Sequence, residues 1–167
     1  MTERQKYDII KKIGDVEIRK YHPCVMADVI VNAEYERAGN IGFRPLVTYI
    51  SQNNIAMTAP VVQEKQENQS WVVSFVMPAG MQISQMPLPK DAKVKLREIT
   101  EHNAAALAFR GITTYKNVQE KESLLRNVLD KEGIKPAGPL KIARFDPPWK
   151  PGFLRHNEVI IPISENN

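Results

Sequence analysis

The sequence predicts an α+β fold made of two ββαββ pseudo-repeats that form a twisted antiparallel β-barrel flanked by two helices. Short stretches with the apolar pattern of strands recur along the 167 residues, whereas helical spacing occurs in two longer stretches. The order strand, strand, helix, strand, strand occurs twice, in halves of about residues 1–80 and 90–167. Closing these strands into a barrel would remove exposed strand edges. We therefore expect a single domain over residues 1–167.

The first half contains a predicted hairpin and one amphipathic helix. Gly14 and Asp15 are typical of a tight turn, and alternating apolar and charged residues follow them. Pro45 fits the first turn of a helix, where its missing N–H costs nothing. The helix expected over residues 43–52 carries apolar side chains at helical spacing, namely Phe43, Leu46, Val47 and Ile50. Strands of this half are expected at residues 16–19, 24–31, 55–62 and 71–77.

The second half repeats this order after a linker rich in proline. A helix is expected over residues 118–132, and Gly133 is a suitable residue to end it. A second proline-rich segment, residues 146–152, separates the last two strands, and we expect its Trp149 to be a buried packing anchor. Strands of this half are expected near residues 94–97, 104–109, 140–145 and 159–163.

Composition excludes several classes of protein. The chain is 43% hydrophobic and 25% charged, which is typical of globular domains, and no apolar run approaches the roughly 20 residues of a membrane span. Its single cysteine, Cys24, excludes an internal disulfide and a multi-cysteine metal site. The net charge of +4 lies in residues 84–167, which hold 14 basic and 10 acidic residues without a block of like charge. We expect a cytoplasmic protein with neither nucleic acid nor membrane as a partner, and its oligomeric state stays open.

Several segments resemble the SOUL/haem-binding protein family, in the same order over nearly the whole chain. The most specific are the Ile-Ala-Met-Thr-Ala-Pro-Val run and the Asp-Pro-Pro-Trp run that is followed by Asn-Glu-Val. The matching segments are residues 10–21, Phe43-Arg44-Pro45-Leu46 with Tyr49-Ile50, Ile55-Ala56-Met57-Thr58-Ala59-Pro60-Val61, Ser74-Phe75-Val76-Met77-Pro78, Leu88-Pro89, Ala143-Arg144-Phe145-Asp146-Pro147-Pro148-Trp149, Phe153-Leu154-Arg155 and Asn157-Glu158-Val159.

This resemblance implies both a fold and a function. The family fold is a twisted β-barrel of two pseudo-repeats flanked by two helices, and it is similar to the effector-binding domains of bacterial regulators. Members that name the family bind haem or another tetrapyrrole non-covalently, in a shallow apolar groove beside the first helix. The resemblance thus implies a non-enzymatic binding protein with haem as its ligand. The family often has a lysine just before Ile-Ala-Met-Thr, where this chain has Asn54, so one cation for a propionate is missing there.

Candidate site residues follow from the chemistry of a tetrapyrrole, which is a flat apolar disc with two carboxylates. Its disc would lie against the exposed part of the helical stripe formed by Phe43, Leu46, Val47 and Ile50. Its carboxylates would meet basic side chains, for which Arg44, Arg144 and Lys150 are the candidates. Among three histidines, His22 is preferred over His102 and His156 as an axial ligand, because Cys24 and Met26 lie near it in sequence.

Two other functions stay open at this stage. An effector-type pocket could bind an amphipathic or cationic small molecule, with Glu98 or Glu158 as the counter-charge. A weaker hypothesis is a small hydrolase on the same barrel, for which the sequence places no base beside Thr58. The charge around the site distinguishes the first two: basic residues at the rim favour porphyrin carboxylates, whereas a buried unpaired glutamate favours a cation.

Overall fold

The computed structural model describes residues 2–147 and 149–165, and Pro148 of the second proline-rich segment lies outside them. In the described residues it contains nine strands and two α-helices, together with two short 3₁₀ turns at Ile83–Gln85 and Gly152–Leu154. In chain order the elements are β1 (Tyr7–Ile13), β2 (Val16–Tyr21), β3 (Cys24–Val31), α1 (Tyr35–Gln52), β4 (Val61–Lys65), β5 (Trp71–Val76), β6 (Lys95–Ile99), β7 (His102–Arg110), α2 (Tyr115–Lys131), β8 (Lys141–Arg144) and β9 (His156–Pro162).

All nine strands join one antiparallel sheet in the order β1-β2-β7-β9-β8-β4-β5-β3-β6. The sheet curls as a half-barrel with β1 and β6 as its edge strands, so the predicted α+β fold with two helices is confirmed. Strands β2 and β6 each pair with a strand of the other half of the sequence. Because neither half forms a separate block of strands, the pseudo-repeat stays a prediction.

The sheet has two faces that differ in what covers them. Alternate residues of β7 show this, since Ala105 and Leu107 join the large core that includes α2 residues such as Leu125. Ala104 and Ala106 point to the other face, where a smaller cluster includes Tyr21, Ala143 and Ile160. We call these the helix-covered face and the open face.

Helix α1 begins at Tyr35, earlier than the predicted Phe43, so Pro45 lies inside the helix and not in its first turn. The sequence pattern does not predict this first part of the helix, because Gly39 and Gly42 favour a break. Both glycines are sites of close contact. A Cβ on Gly42 would lie 2.6 Å from the Cβ of Val73, so the helix backbone packs directly on β5.

Other boundaries also differ from the prediction. Strand β4 begins at Val61, not near residue 55, because residues 55–60 form an irregular segment with a cis Ala59–Pro60 bond. The expectation that Trp149 is a buried anchor is wrong, since its side chain is 82% exposed. Phe145, at the start of the same segment, packs against the open face of the sheet instead.

Neither helix in the described part of the chain has the combination of length and apolar character that crossing a membrane would require.

Candidate ligand-binding groove

A groove of about 410 Å³ lies beside the first half of α1. Most of it is formed by α1, by the irregular segment and the first residue of β4, and by the end of β8 with the following loop and the start of β9. Thr2, near the N-terminus, and Thr113, between β7 and α2, complete it. Its lining residues are Thr2, Gly39, Asn40, Phe43, Met57, Thr58, Ala59, Val61, Thr113, Arg144, Phe145, Asp146, Pro147, Arg155 and Asn157. Its volume lies within the roughly 300–1,000 Å³ of typical small-molecule sites.

The apolar part of the groove combines a fixed ring and a flexible side chain. The Phe43 ring meets the buried Phe75 ring edge-on, with centroids 5.3 Å apart, yet one side of Phe43 stays exposed. Met57 is also exposed and lies in the irregular segment before β4. A thioether is a polarisable side chain that adapts to flat ligands. The groove can therefore receive an apolar disc.

Two guanidinium groups supply positive charge to the groove. Arg144 is half-buried and packs against α1, since a Cβ on Gly39 would lie 2.5 Å from its Nη2 atom. The Nε atom of Arg155 donates to the carbonyl oxygen of Lys150 at 2.9 Å. The groove also contains the carboxylate of Asp146, which accepts from Lys150 Nζ at 2.9 Å.

Asp146 stays ionised in this setting. Burial by itself raises the pKa of Asp146, but hydrogen bonds from the His156 backbone N–H and Lys150, with the charge of Lys150, outweigh burial and lower that pKa. The charge of Asp146 is thus offset by Lys150, and Arg144 and Arg155 give the groove charge of the right sign for a ligand carboxylate.

The structure brings some of the predicted site residues together. Phe43 and Arg144 both line the groove, although they are about a hundred residues apart in sequence. Lys150 reaches it indirectly, through its ion pair with Asp146. Leu46 and Ile50 are buried in the core between α1 and the sheet and do not line the groove.

Val47 and Arg44 have intermediate positions. Val47 is partly buried against the same core. Arg44 follows Phe43 on α1 and is exposed, but it is not among the residues that line the groove. It stays a prediction as a partner for a carboxylate.

None of the three histidines is among the groove residues that the structure describes. His22 lines a different cavity of about 340 Å³, and its Nε2 atom lies 3.0 Å from Asp8 Oδ2. His102 begins β7 and stacks on Tyr21, and His156 begins β9 and packs against Phe145. An axial histidine therefore has no geometric support in this groove.

A second cavity of about 310 Å³ lies on the open face and contains a buried ion pair. Arg19 Nη1 and Nη2 donate to the two carboxylate oxygens of Glu158 at 2.7 and 2.6 Å. Arg19 also donates to Glu17 and to the hydroxyl of Tyr21, and its guanidinium lies 4.0 Å from the Tyr7 ring centroid. All five N–H groups of Arg19 are thus satisfied.

This pairing bears on Glu158 as a candidate counter-charge for a cationic ligand. Burial by itself raises the pKa of Glu158, but the hydrogen bonds and charge of Arg19, together with the contact from His156, outweigh burial and hold that pKa below its usual range. Glu158 is buried but not unpaired. Glu98, the other candidate, is exposed on β6.

Most of the lining residues were not among the predicted site residues, and the main ones in chemical terms are Met57, Phe145 and Arg155. Met57 lies in the most specific matching motif, which the apolar pattern suggested was part of a strand. Phe145 and Arg155 flank the second proline-rich segment, and a loop closed by paired ends brings both to one place. The motif position of Met57 was the available signal, whereas the other two required the fold.

Comparisons with known proteins place the fold and the family. Similar solved structures include the C-terminal domain of EcmrR, with a TM-score of 0.66 at 11% identity over 95% of this chain and 98% of that one. A hydrolase from Listeria innocua has a TM-score of 0.62 at 11% identity, over 93% and 94% of the two chains. SAV2435 bound to tetraphenylphosphonium has a TM-score of 0.51 at 9% identity, over 96% and 95%. These identities show a shared fold alone.

No curated protein matches the sequence at a significant level. A family model described as SOUL heme-binding protein matches residues 2–162, which is nearly the whole chain. The match includes all the residues that line the groove, from Thr2 to Asn157. The chain therefore belongs to the SOUL heme-binding protein family.

Proposed function

We propose that this protein binds haem or a related tetrapyrrole non-covalently in the groove beside α1, and that it acts as a binding protein and not as an enzyme. The observation that carries this proposal is the combination, in one groove, of an apolar wall around Phe43 and Met57 with the guanidinium groups of Arg144 and Arg155. A tetrapyrrole has the matching chemistry, since its disc is apolar and its two propionates are anionic.

The residues present fit this ligand in two respects. Phe43 and Met57 supply apolar surface, and burial of apolar surface contributes roughly 25 cal/mol per Å² before the costs of association. Arg144 and Arg155 would hold the propionates by charge-assisted hydrogen bonds. Asn54, which replaces the lysine common in the family, is not among the lining residues, so the two arginines take over that charge.

Binding should depend little on the iron. Haem supplies an iron that can take an axial ligand, and the soft donor among the lining residues is the Met57 thioether. Without a histidine in the described groove, the disc and the propionates should dominate the affinity. We expect haemin to bind at micromolar strength at best, roughly −8 kcal/mol, and protoporphyrin without iron to bind within about tenfold of haemin.

The test is a pair of titrations, with haemin followed at its Soret band and protoporphyrin followed by its fluorescence. Arg144→Gln should weaken both ligands alike, by about tenfold, because the lost hydrogen bond is independent of the metal. Arg37→Gln is the matched control, since Arg37 is exposed on the same helix and outside the groove. Arg44→Ala in the same assay decides whether Arg44 reaches the ligand.

Four results would contradict the proposal or part of it. Absence of binding by either porphyrin would reject it. Equal binding by wild type and Arg144→Gln would show that the porphyrin binds at another site. A hundredfold preference for haemin that is abolished by His22→Ala would reject the apolar-groove mechanism. The same preference abolished by Met57→Leu would identify Met57 as an axial ligand and reject the expected independence from iron.

A cationic effector is the second candidate, because the cavity on the open face holds the carboxylates of Glu17 and Glu158 and the ring of Tyr7. SAV2435, which shares this fold, binds tetraphenylphosphonium. In this chain the Arg19 guanidinium already occupies the position between these groups. We therefore expect tetraphenylphosphonium not to raise the melting temperature of the wild-type protein, and a clear increase would favour the second candidate.

A hydrolase function has less support. The Thr58 hydroxyl donates to the carbonyl oxygen of Val76, so it serves the local fold. The likeness to a hydrolase from Listeria innocua extends to the fold alone.

A further inference from the structure

Exposed apolar side chains project from the loop between β8 and β9 and from the segment that follows β7. Trp149 is 82% exposed and Phe153 is 74% exposed, and Leu154 and Ile112 are also exposed. We call these four residues the loop patch. Large apolar side chains scattered singly over a surface need no explanation, whereas a cluster marks an interaction site.

Contacts within the loop hold this cluster together. A Cβ on Gly152 would lie 2.6 Å from Ile112, so the 3₁₀ turn Gly152–Leu154 packs directly on the segment after β7. Arg110 Nη1 donates to the carbonyl oxygen of Leu154 at 3.1 Å. Lys150 N donates to Pro147 O at 3.1 Å, which forms a turn at Trp149. Hydrogen bonds and packing thus fix the backbone of the loop, while its aromatic side chains are exposed to solvent.

Positive charge surrounds the loop patch. Arg110 and Arg155 are both tied to the loop by hydrogen bonds to its carbonyl oxygens, those of Leu154 and Lys150. Loop residues 145–156 hold the basic side chains of Lys150 and Arg155 and the acidic side chain of Asp146. Together with Arg110 their formal net charge is +2, next to the aromatic side chains.

We infer that the loop patch docks on an anionic phospholipid surface. Tryptophan and phenylalanine favour the membrane–water interface, and basic side chains beside them are attracted to anionic headgroups. A second copy of this chain would bring the same positive charge to the contact and would be repelled. The sequence prediction of no membrane partner rested on the absence of a spanning segment, which surface docking does not need.

Docking would bring the groove close to the lipid. Pro147 and Arg155 line the groove and belong to the loop that carries the patch, and Thr113 lines it next to Ile112. An apolar ligand dissolved in the membrane would then have a short path to the groove. The docking itself does not rest on the proposed function, because it involves no tetrapyrrole.

The chain contains its own probe for this contact. Of its two tryptophans, Trp71 is buried and Trp149 is exposed, so a change of emission on adding lipid reports on Trp149. Vesicles made of equal parts phosphatidylcholine and phosphatidylglycerol should shift the emission to shorter wavelength and protect it from acrylamide. Vesicles of phosphatidylcholine alone should do neither, and high salt should reverse the shift. Trp149→Phe should remove the signal and keep vesicle binding.

Co-sedimentation with the same vesicles gives the second measurement. Trp149→Ala/Phe153→Ala should reduce binding by more than tenfold, and Arg110→Gln should reduce it about fivefold. Leu88→Ala is the matched control, since Leu88 is 87% exposed elsewhere on the surface. Its binding should equal that of wild type, and an unchanged melting temperature should show that each variant is folded.

Other outcomes would overturn the inference. Absence of a shift and of co-sedimentation would reject it, as would equal vesicle binding by the double variant and wild type. If the double variant lost protoporphyrin binding but kept vesicle binding, the loop patch would be part of the ligand site and not a membrane contact. Concentration-dependent self-association that the double variant abolishes would make it an interface between copies.

Discussion

Replacement of Arg19 by Met tests how far the fold depends on the ion pair of the open face. Arg19 makes hydrogen bonds with Glu158, Glu17 and Tyr21 and stacks on Tyr7. Methionine keeps part of the side-chain volume and removes the charge and every donor. The variant therefore removes the guanidinium from Glu158, which is 3% exposed, and leaves it with the His156 Nε2 atom at 3.8 Å.

The expected loss follows from which partner can return to water. Glu17 is partly exposed and can be solvated when the guanidinium is gone, so its contribution is small. Glu158 cannot be solvated without movement of β9, and breaking a buried pair by removing one partner costs about 3–5 kcal/mol. We expect a decrease of that size in the free energy of unfolding of Arg19→Met. Glu158→Gln, which leaves Arg19 paired with Glu17, should cost less, about 1–3 kcal/mol.

The dependence on pH has a definite sign. In wild type the pKa of Glu158 is lowered, so its contribution is present above the unfolded value near 4.5 and is lost as pH falls through the folded pKa. In Arg19→Met the burial of Glu158 remains, and of its two basic partners only His156 is left, so we expect a penalty at neutral pH that disappears as the carboxyl group is protonated. The difference between the two proteins should therefore be largest near neutral pH and shrink as pH falls towards 4.5.

Urea unfolding followed by circular dichroism at several pH values measures both quantities. The double variant Arg19→Met/Glu158→Gln should be more stable than the sum of the single losses predicts, with a coupling of about 2 kcal/mol. A loss below about 1 kcal/mol in Arg19→Met, or a loss that does not change with pH, would refute this reasoning. Either result would show that Glu158 reaches solvent or finds another cation.

Two further substitutions test the packing of α1 and the position of the loop. Gly42→Ala should destabilise the protein by about 1–3 kcal/mol in urea unfolding, because the added Cβ would lie 2.6 Å from Val73 Cβ and the helix would have to move off β5. An unchanged or increased stability would mean that the helix interior gains more from alanine than the contact costs. Trp149→Ala should change the free energy of unfolding by less than about 0.5 kcal/mol, because the ring is exposed. A loss of several kcal/mol would show instead that Trp149 is buried in solution.

The sequence predicted the elements better than their boundaries, for local physical reasons. Apolar alternation predicted strands such as β2, and helical spacing predicted α2. Helical spacing did not predict the start of α1, because Gly39 and Gly42 have low intrinsic helix propensity. Both glycines are needed there because Arg144 and Val73, which are distant in sequence, lie too close for a Cβ atom. A contact between α1 and β5 cannot be deduced from the sequence around either one.

For the site, too, the sequence predicted some residues, whereas contacts between residues distant in sequence required the structure. Phe43 and Arg144 were predicted from residue type and from the family resemblance, and the fold brings them to one groove. Burial of Leu46 could not be predicted, because a helical stripe does not indicate which of its residues touch the sheet. Exposure of Trp149 could not be predicted either, because the residues of a loop do not indicate which side chains face the sheet. The Arg19–Glu158 pair joins positions 139 residues apart, so its chemistry becomes visible only when β2 and β9 lie on either side of β7.

The groove should distinguish a dicarboxylate porphyrin from its neutral ester. Both have the same disc, so the contact with Phe43 and Met57 contributes equally to the two affinities, and the ester lacks only the charges that Arg144 and Arg155 would meet. One charge-assisted hydrogen bond contributes about 1.5–3 kcal/mol, so wild type should prefer protoporphyrin over its dimethyl ester by at least tenfold. Arg144→Gln should lower this preference by weakening protoporphyrin binding while leaving ester binding unchanged, and Arg37→Gln should leave both unchanged. An equal loss for both ligands would mean that Arg144 shapes the groove through its contact with Gly39 and does not meet a carboxylate.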